Sequence, residues 1–107
     1  MRQAHVYRNG ALAGVLSEVD RNHYVFEYDE KYRRDDQQPA VSLTLPKKMA
    51  RYQADHLFPF FFNMLSEGAN RQLQHRHLAI DERDDFGLLL ATAHTETIGP
   101  VTVTAVS

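Results

Sequence analysis

The sequence contains no cysteine, so disulfide bonds and thiolate-bound metal sites are excluded. It also has no apolar run close to the roughly 20 residues that a membrane-spanning helix needs. The first ten residues, "MRQAHVYRNG", lack the apolar centre of a signal peptide. These absences fit a reducing compartment, and we expect a cytoplasmic protein that does not contact a membrane.

A strong charge of either sign is missing as well. The formal net charge is −2, whereas proteins that bind nucleic acid directly usually carry a basic surface. Hydrophobic residues make up 43% of the chain and charged residues 24%, which is ordinary for a globular protein. Because the 107 residues show no repeat or linker, we predict one domain over residues 1–107 and no direct nucleic-acid binding.

The N-terminal half shows the two-residue alternation of β-strands. "VYRNGALAGVLSEV" predicts a hairpin, because its Asn-Gly pair at residues 9–10 suits a type I′ turn. Gly14, inside the second strand, indicates a bulge or a close approach of another backbone. "HYVFEY" predicts a third strand. After a polar connection, "AVSLTLP" predicts a fourth, with Val41, Leu43 and Leu45 on one face.

The C-terminal half changes to the period of helices. A first helix is predicted over Leu57–Leu65, with Pro59 in its first turn and Gly68 as the break behind it. "ANRQLQHRHL" predicts a second helix, and "DERDDFGLLLATAH" predicts a third, capped by Asp84 or Asp85. "GPVTVTAV" predicts a closing strand. The fold class is therefore α+β: a small antiparallel sheet from the N-terminal half plus a closing C-terminal strand, packed against about three helices.

Two short patterns resemble catalytic motifs. The triplet "DFG" at residues 85–87 places a magnesium-binding aspartate in protein kinases, but no kinase catalytic loop or glycine-rich phosphate loop accompanies it. We interpret it as a helix start. Ser66, Glu67 and His75 would suit a hydrolase, but "SEGAN" lacks the G-x-S-x-G turn. The sequence therefore predicts no catalytic residue and no enzyme.

Histidines cluster at His75 and His77, with His94 further along the chain. A zinc site needs three or four convergent ligands. Residues two apart on a helix point to opposite sides, so His75 and His77 cannot share a metal there. We therefore predict solvated histidines, no metal site and no cofactor.

Phenylalanine is concentrated in one short segment that contains Phe58, Phe60, Phe61 and Phe62. A helix with 3.6 residues per turn cannot turn four such neighbours to one side. At least one is expected near the surface, or covered by a second protein, because exposed aromatic side chains act as anchors at interfaces.

Taken in order, these segments resemble the N-terminal subdomain of HipA-type kinase toxins. That family shows a G-x-L turn strand, an F-x-Y-x-x-x-Y strand, L-S-L-x-L-P, F-F-x-x-L-L-P-E-G, D-D-x-F-x-L-L and a final G-A-x-x-V strand. The resemblance runs from about Val6 to Val103. The matching residues are Leu43, Leu45, Pro46, Phe61, Phe62, Leu65, Glu67, Gly68, Asp84, Asp85, Leu89, Leu90 and Gly99.

The chain departs from that pattern at three places. Ser66 replaces the family's proline, Ala69 stands where an aromatic residue is common, and residues 94–96 replace a Gly-Arg-Asp triplet.

The resemblance implies a non-catalytic subdomain whose kinase core lies elsewhere. Because the sequence stops at Ser107, we expect the HipS type, the small stand-alone antitoxin of bacterial HipBST toxin–antitoxin systems. There, a HipA- or HipT-like kinase toxin lacks this subdomain and the small protein neutralises it, while a helix-turn-helix HipB-like protein binds DNA. The implied partner-binding residues are Phe60, Ser66, Glu67, Gly68, Ala69, Asn70 and Arg71, and the break among them would project toward the kinase.

Two other interpretations stay open. The chain is a fragment of a longer HipA-type kinase, in which it scaffolds the enzyme, or it is an unrelated small binding domain. A stop codon after Ser107, next to a gene for a kinase without this subdomain, would separate the stand-alone antitoxin from the fragment.

Overall fold

The computed structural model describes residues 1–65, 68–81, 83–92 and 100–106, and for residues 68–71 it describes the backbone. The elements are β1 (Arg2–Arg8), β2 (Ala11–Asp20), β3 (His23–Tyr28), α1 (Glu30–Arg34), β4 (Arg51–Ala54), α2 (Pro59–Phe62), α3 (Gly68–His77), α4 (Asp85–Thr92) and β5 (Val101–Ala105). The five strands form one antiparallel sheet in the order β4-β3-β2-β1-β5. The predicted α+β class, with its closing C-terminal strand, is confirmed.

The N-terminal hairpin is the part of the fold that local sequence determines most fully. Asn9 and Gly10 have φ angles of 51° and 82°, as a type I′ turn requires. Gly14 satisfies both of its predicted roles. The register shifts beside it, and a Cβ at Gly14 would lie 2.4 Å from the carbonyl oxygen of Glu27. A side chain at that position would therefore push β2 away from β3.

The predicted fourth strand at "AVSLTLP" is wrong. Residues 42–45 form a turn instead, in which the Leu45 N–H donates to the Ser42 carbonyl at 3.0 Å. The fourth strand of the sheet is Arg51–Ala54, which pairs with β3. The alternation failed as a signal because Leu43 lies on the outside of the turn, whereas Val41 and Leu45 are buried on either side of it.

The polar connection before that turn also contains a short helix, α1, which its sequence pattern did not predict. The Asp29 side chain caps it by accepting from the Tyr32 N–H. The described residues thus hold four helices rather than about three.

The other helices differ from the prediction at their ends. Only Pro59–Phe62 of the expected Leu57–Leu65 helix is helical, and Gly68 opens α3 rather than ending α2. The predicted cap of the last helix is confirmed, because Asp84 Oδ1 accepts from the Gly87 N–H at 3.0 Å.

The core lies between one face of the sheet and the helices. Its fully buried members on the sheet include Ala4, Val6, Leu16, Phe26 and Val103, and those on the helices include Phe61, Phe86, Leu88 and Leu89. Among the described residues, no helix is long and apolar enough to cross a membrane.

An ionic cluster joins the sheet to α4 beside this core. Arg2 Nη2 lies 2.6 Å from Glu18 Oε1 and 2.6 Å from Asp84 Oδ1, so one guanidinium links β1, β2 and the cap of α4. The hydrogen bond from Arg2 holds the pKa of Asp84 below its ordinary value. Tyr24 donates its hydroxyl to Glu18, and burial with this contact raises its pKa to about 12.

Candidate partner-binding surface

The phenylalanine segment divides between core and surface, as predicted. Phe58 and Phe61 are buried, whereas Phe60 and Phe62 are half-buried. Phe60, Phe61 and Phe62 lie on α2, which is a single turn, so their side chains leave the helix in different directions. Phe61 contacts the Phe26 ring of the sheet at 5.7 Å between centroids, and Phe60 packs edge-on against Phe61 at 5.2 Å. Phe60 is thus held by the core but not enclosed by it.

Phe60 forms one wall of an open groove of about 360 Å³. The other lining residues come from the turn region before β4, from the end of β1 and from the start of β5: Arg8, Pro39, Ala40, Val41, Ser42, Leu43, Pro100 and Val101. Apart from Arg8 and Ser42, every side chain in this set is apolar. We call this surface the Phe60 groove. Its apolar lining fits a protein partner better than a small charged ligand.

The remaining predicted partner-binding residues are only partly within the described chain. Ser66 and Glu67 lie outside the described residues. Gly68, Ala69, Asn70 and Arg71 form the first turn of α3, and their backbone alone is described. Their role in contacting a partner therefore stays a prediction.

A second cleft, of about 480 Å³, opens beside Phe62. Arg21 and Arg83 border it together with Asp55 and Asp85, so side chains of both signs face the same space. His56 Nδ1 lies 2.6 Å from Asp55 Oδ1, and this hydrogen bond lowers the pKa of Asp55. The mixture of charges selects no single class of ligand.

The prediction of solvated histidines is wrong for His75. Its side chain is 2% exposed, and its Nε2 lies 3.4 Å from Oδ1 of Asp85 on α4. His77 is exposed, as predicted, and His94 lies outside the described residues. No group of three or more His, Cys, Asp or Glu side chains in the described ranges could hold a metal ion. His75 instead packs α3 against α4, a role that helical spacing alone did not indicate.

The "DFG" triplet begins α4, as predicted. Phe86 is buried, Asp85 faces His75, and a Cβ at Gly87 would meet the capping carboxylate of Asp84 at 2.2 Å. These residues therefore serve the packing and capping of a helix.

Two comparisons with known proteins, a family model and a solved structure, name the same family. A family model described as the HipA N-terminal domain matches residues 4–104. An uncharacterised protein of Haemophilus influenzae is 32% identical over 90 residues, which span 84% of this chain and 80% of that protein. Putative kinase Y4mE of Sinorhizobium fredii is 26% identical over 89 residues, which span 83% of this chain but 21% of the kinase.

A solved structure titled N-terminal domain of HipA toxin has the same fold. It superposes with a TM-score of 0.72 at 27% identity, and the match covers 100% of this chain and 94% of that one.

Proposed function

The chain belongs to the HipA N-terminal domain family, and on that premise we propose that it is an antitoxin-like regulatory subunit. In this proposal it binds a HipA-like serine/threonine kinase that lacks this domain and neutralises it. The phosphate-transferring residues belong to the partner, and this chain supplies surface rather than chemistry. In this proposal the domain acts as a separate chain, as in the stand-alone HipS type.

One observation carries the proposal: related sequences contain this domain in two settings. The Haemophilus relative is about as long as this chain, because the match spans 80% of it. In the putative kinase, the region that matches this chain makes up 21% of the protein. A domain found both alone and joined to a longer chain is suited to act as a separate protein that completes a kinase lacking it.

The surface features support a protein partner. The Phe60 groove is apolar and open, and the break at residues 66–71 is proposed to lie in the same interface. Such a contact neutralises the kinase by filling its nucleotide cleft or by holding its core in an inactive shape. A few anchor residues would then set the strength of inhibition.

The same complex would include a DNA-binding protein of the helix-turn-helix HipB type. The net charge of −2 gives this chain little electrostatic attraction for DNA, so operator binding would come from that third protein.

The second candidate function is scaffolding in the same chain, and the match to putative kinase Y4mE favours it. In that case this chain is the N-terminal part of a longer kinase. Reading the encoding gene past Ser107 separates the two candidates, since the antitoxin proposal requires a stop codon and a neighbouring kinase gene without this domain.

Co-expression tests the antitoxin proposal in cells. The neighbouring kinase expressed alone should arrest growth, and expression of this chain with it should restore growth. Growth arrest that persists although the two proteins form a stable complex would count heavily against neutralisation. The control is a variant of the kinase that is inactive in phosphate transfer, for which this chain should make no difference.

A further inference from the structure

The side chain of Leu43, which lines the Phe60 groove, is completely exposed, at 100%. The other large hydrophobic residues on the described surface are shielded to a greater degree, and the next most exposed beyond the terminal Met1 are Leu73 at 57% and Met49 at 50%. Fully exposing a leucine forgoes the favourable burial that its neighbours Val41 and Leu45 obtain.

The turn that carries Leu43 is held firmly from inside. Ser42 Oγ accepts from the Thr44 N–H at 3.2 Å, and the Leu45 N–H closes the turn on the Ser42 carbonyl at 3.0 Å. The buried Tyr28 hydroxyl joins both flanks, because it accepts from the Val41 N–H at 3.0 Å and donates to the Leu45 carbonyl. The backbone under Leu43 is therefore ordered before any partner arrives, which lowers the entropy cost of binding through it.

We propose that Leu43 is an anchor residue for the kinase partner, inserted into an apolar pocket of the kinase, with the Phe60 groove packed around it. This inference rests on the proposed function and names a contact beyond the predicted residues 60 and 66–71. Its geometry is that of an interface centre: one protruding aliphatic side chain beside an apolar groove, in which Ala40 and Phe60 are half-buried, on a rigid support.

The kinase chain is the occupant that the observations favour. In the putative kinase, the part outside the matched region makes up most of the protein, so ample chain is present to cover this face. A second copy of this chain is the less suitable occupant. The groove has nine lining residues, whereas a standard interface takes roughly 20–30 from each side. The remainder of a kinase of that length is large enough to extend the contact beyond the groove.

The test compares three purified chains for binding to the kinase that lacks this domain: the native chain, Leu43→Asp and Met49→Asp. Met49 is also half-exposed and apolar but lies outside the groove, so its variant controls for adding a charge to the surface. We expect Leu43→Asp to weaken the affinity for the kinase on the order of tenfold or more, and Met49→Asp to leave it unchanged. Thermal unfolding should be the same for all three, because neither side chain belongs to the core.

The outcomes separate this inference from the proposed function. If the native chain does not bind the kinase, the proposed function fails. If the native chain binds and Leu43→Asp binds equally well, the proposed function stands and the anchor is overturned. Sedimentation of the chain alone adds a third outcome. Self-association that Leu43→Asp abolishes, with kinase binding intact, would assign the groove to a second copy and overturn the inference.

Discussion

Single tyrosine hydroxyls hold the irregular segment between α1 and β4 in place. Tyr28 bonds to both flanks of the Ser42–Leu45 turn, Tyr32 donates to the Pro39 carbonyl at 2.7 Å, and Tyr52 donates to the Pro46 carbonyl at 2.6 Å. These bonds replace the strand pairing that the alternating sequence suggested. Sequence spacing did not reveal them because each joins residues far apart in the chain or in an irregular loop.

We predict that Tyr28→Phe destabilises the fold by about 1–3 kcal/mol, because it leaves the buried Val41 N–H and Leu45 carbonyl without their partner. Chemical denaturation measures the loss. Tyr7→Phe is the control, since within the described part of the chain the Tyr7 hydroxyl makes no hydrogen bond, and its free energy of unfolding should barely change. Equal stability of the native chain and Tyr28→Phe would show that the hydroxyl does not hold the turn.

At the scale of elements, the sequence correctly predicted the turns, caps and strands that depend on the chemistry of neighbouring residues. The Asn-Gly turn, the bulge at Gly14, the Asp84 cap and the closing strand are each fixed by a few neighbouring residues. The errors lie where tertiary contacts decide: β4 pairs with β3 although its pattern is weak, and His75 is buried by packing against α4. Phe60 lines the candidate groove, and its role in binding a partner stays a prediction, whereas the exposure of Leu43 became visible only with the turn.

The one-turn helix α2 places the adjacent residues Phe60 and Phe61 in different environments, with Phe61 in the core and Phe60 at its edge. Phe61 is fully buried, so we predict that Phe61→Ala costs about 3–5 kcal/mol of folding free energy. Phe60→Ala removes a half-buried ring and should cost much less stability, while it weakens binding to the kinase. Denaturation and binding measured on both variants check this division. A Phe60→Ala chain that unfolds as readily as Phe61→Ala would place Phe60 in the core instead.

The Arg2 cluster makes the attachment of α4 dependent on pH. The pKa of Asp84 is lower in the folded chain than in the unfolded one, chiefly through its hydrogen bond with Arg2. Its contribution is therefore complete above the unfolded pKa of about 3.9 and is lost as the pH falls through the folded value. Because both side chains are partly exposed, at 40% and 32%, we place the contribution at about 1 kcal/mol.

Asp84→Asn tests this dependence, since asparagine can still cap α4 but carries no charge. At pH 7 the variant should unfold more readily than the native chain, and the difference should shrink as the pH falls below the unfolded aspartate pKa of about 3.9 and through the lower folded value. Glu30→Gln serves as the control, because its contacts with Arg33 and Arg34 lie on an exposed helix face and should matter less. A difference for Asp84→Asn that is the same at all pH values would contradict the ionic origin.

At the scale of the whole molecule, one sheet face and the helices enclose the core, and an apolar groove stays open where the turn, α2 and the start of β5 meet. Such a groove supports the proposal that this domain binds a second protein. The related sequences show the domain both in a protein of about this length and within a putative kinase.

The most direct test of the central claim is to titrate the purified chain into the purified kinase that lacks this domain and to measure phosphate transfer. The account predicts that transfer falls to a saturating minimum as this chain is added, and that the chain alone consumes no ATP. Undiminished phosphate transfer in the presence of excess folded chain would contradict it.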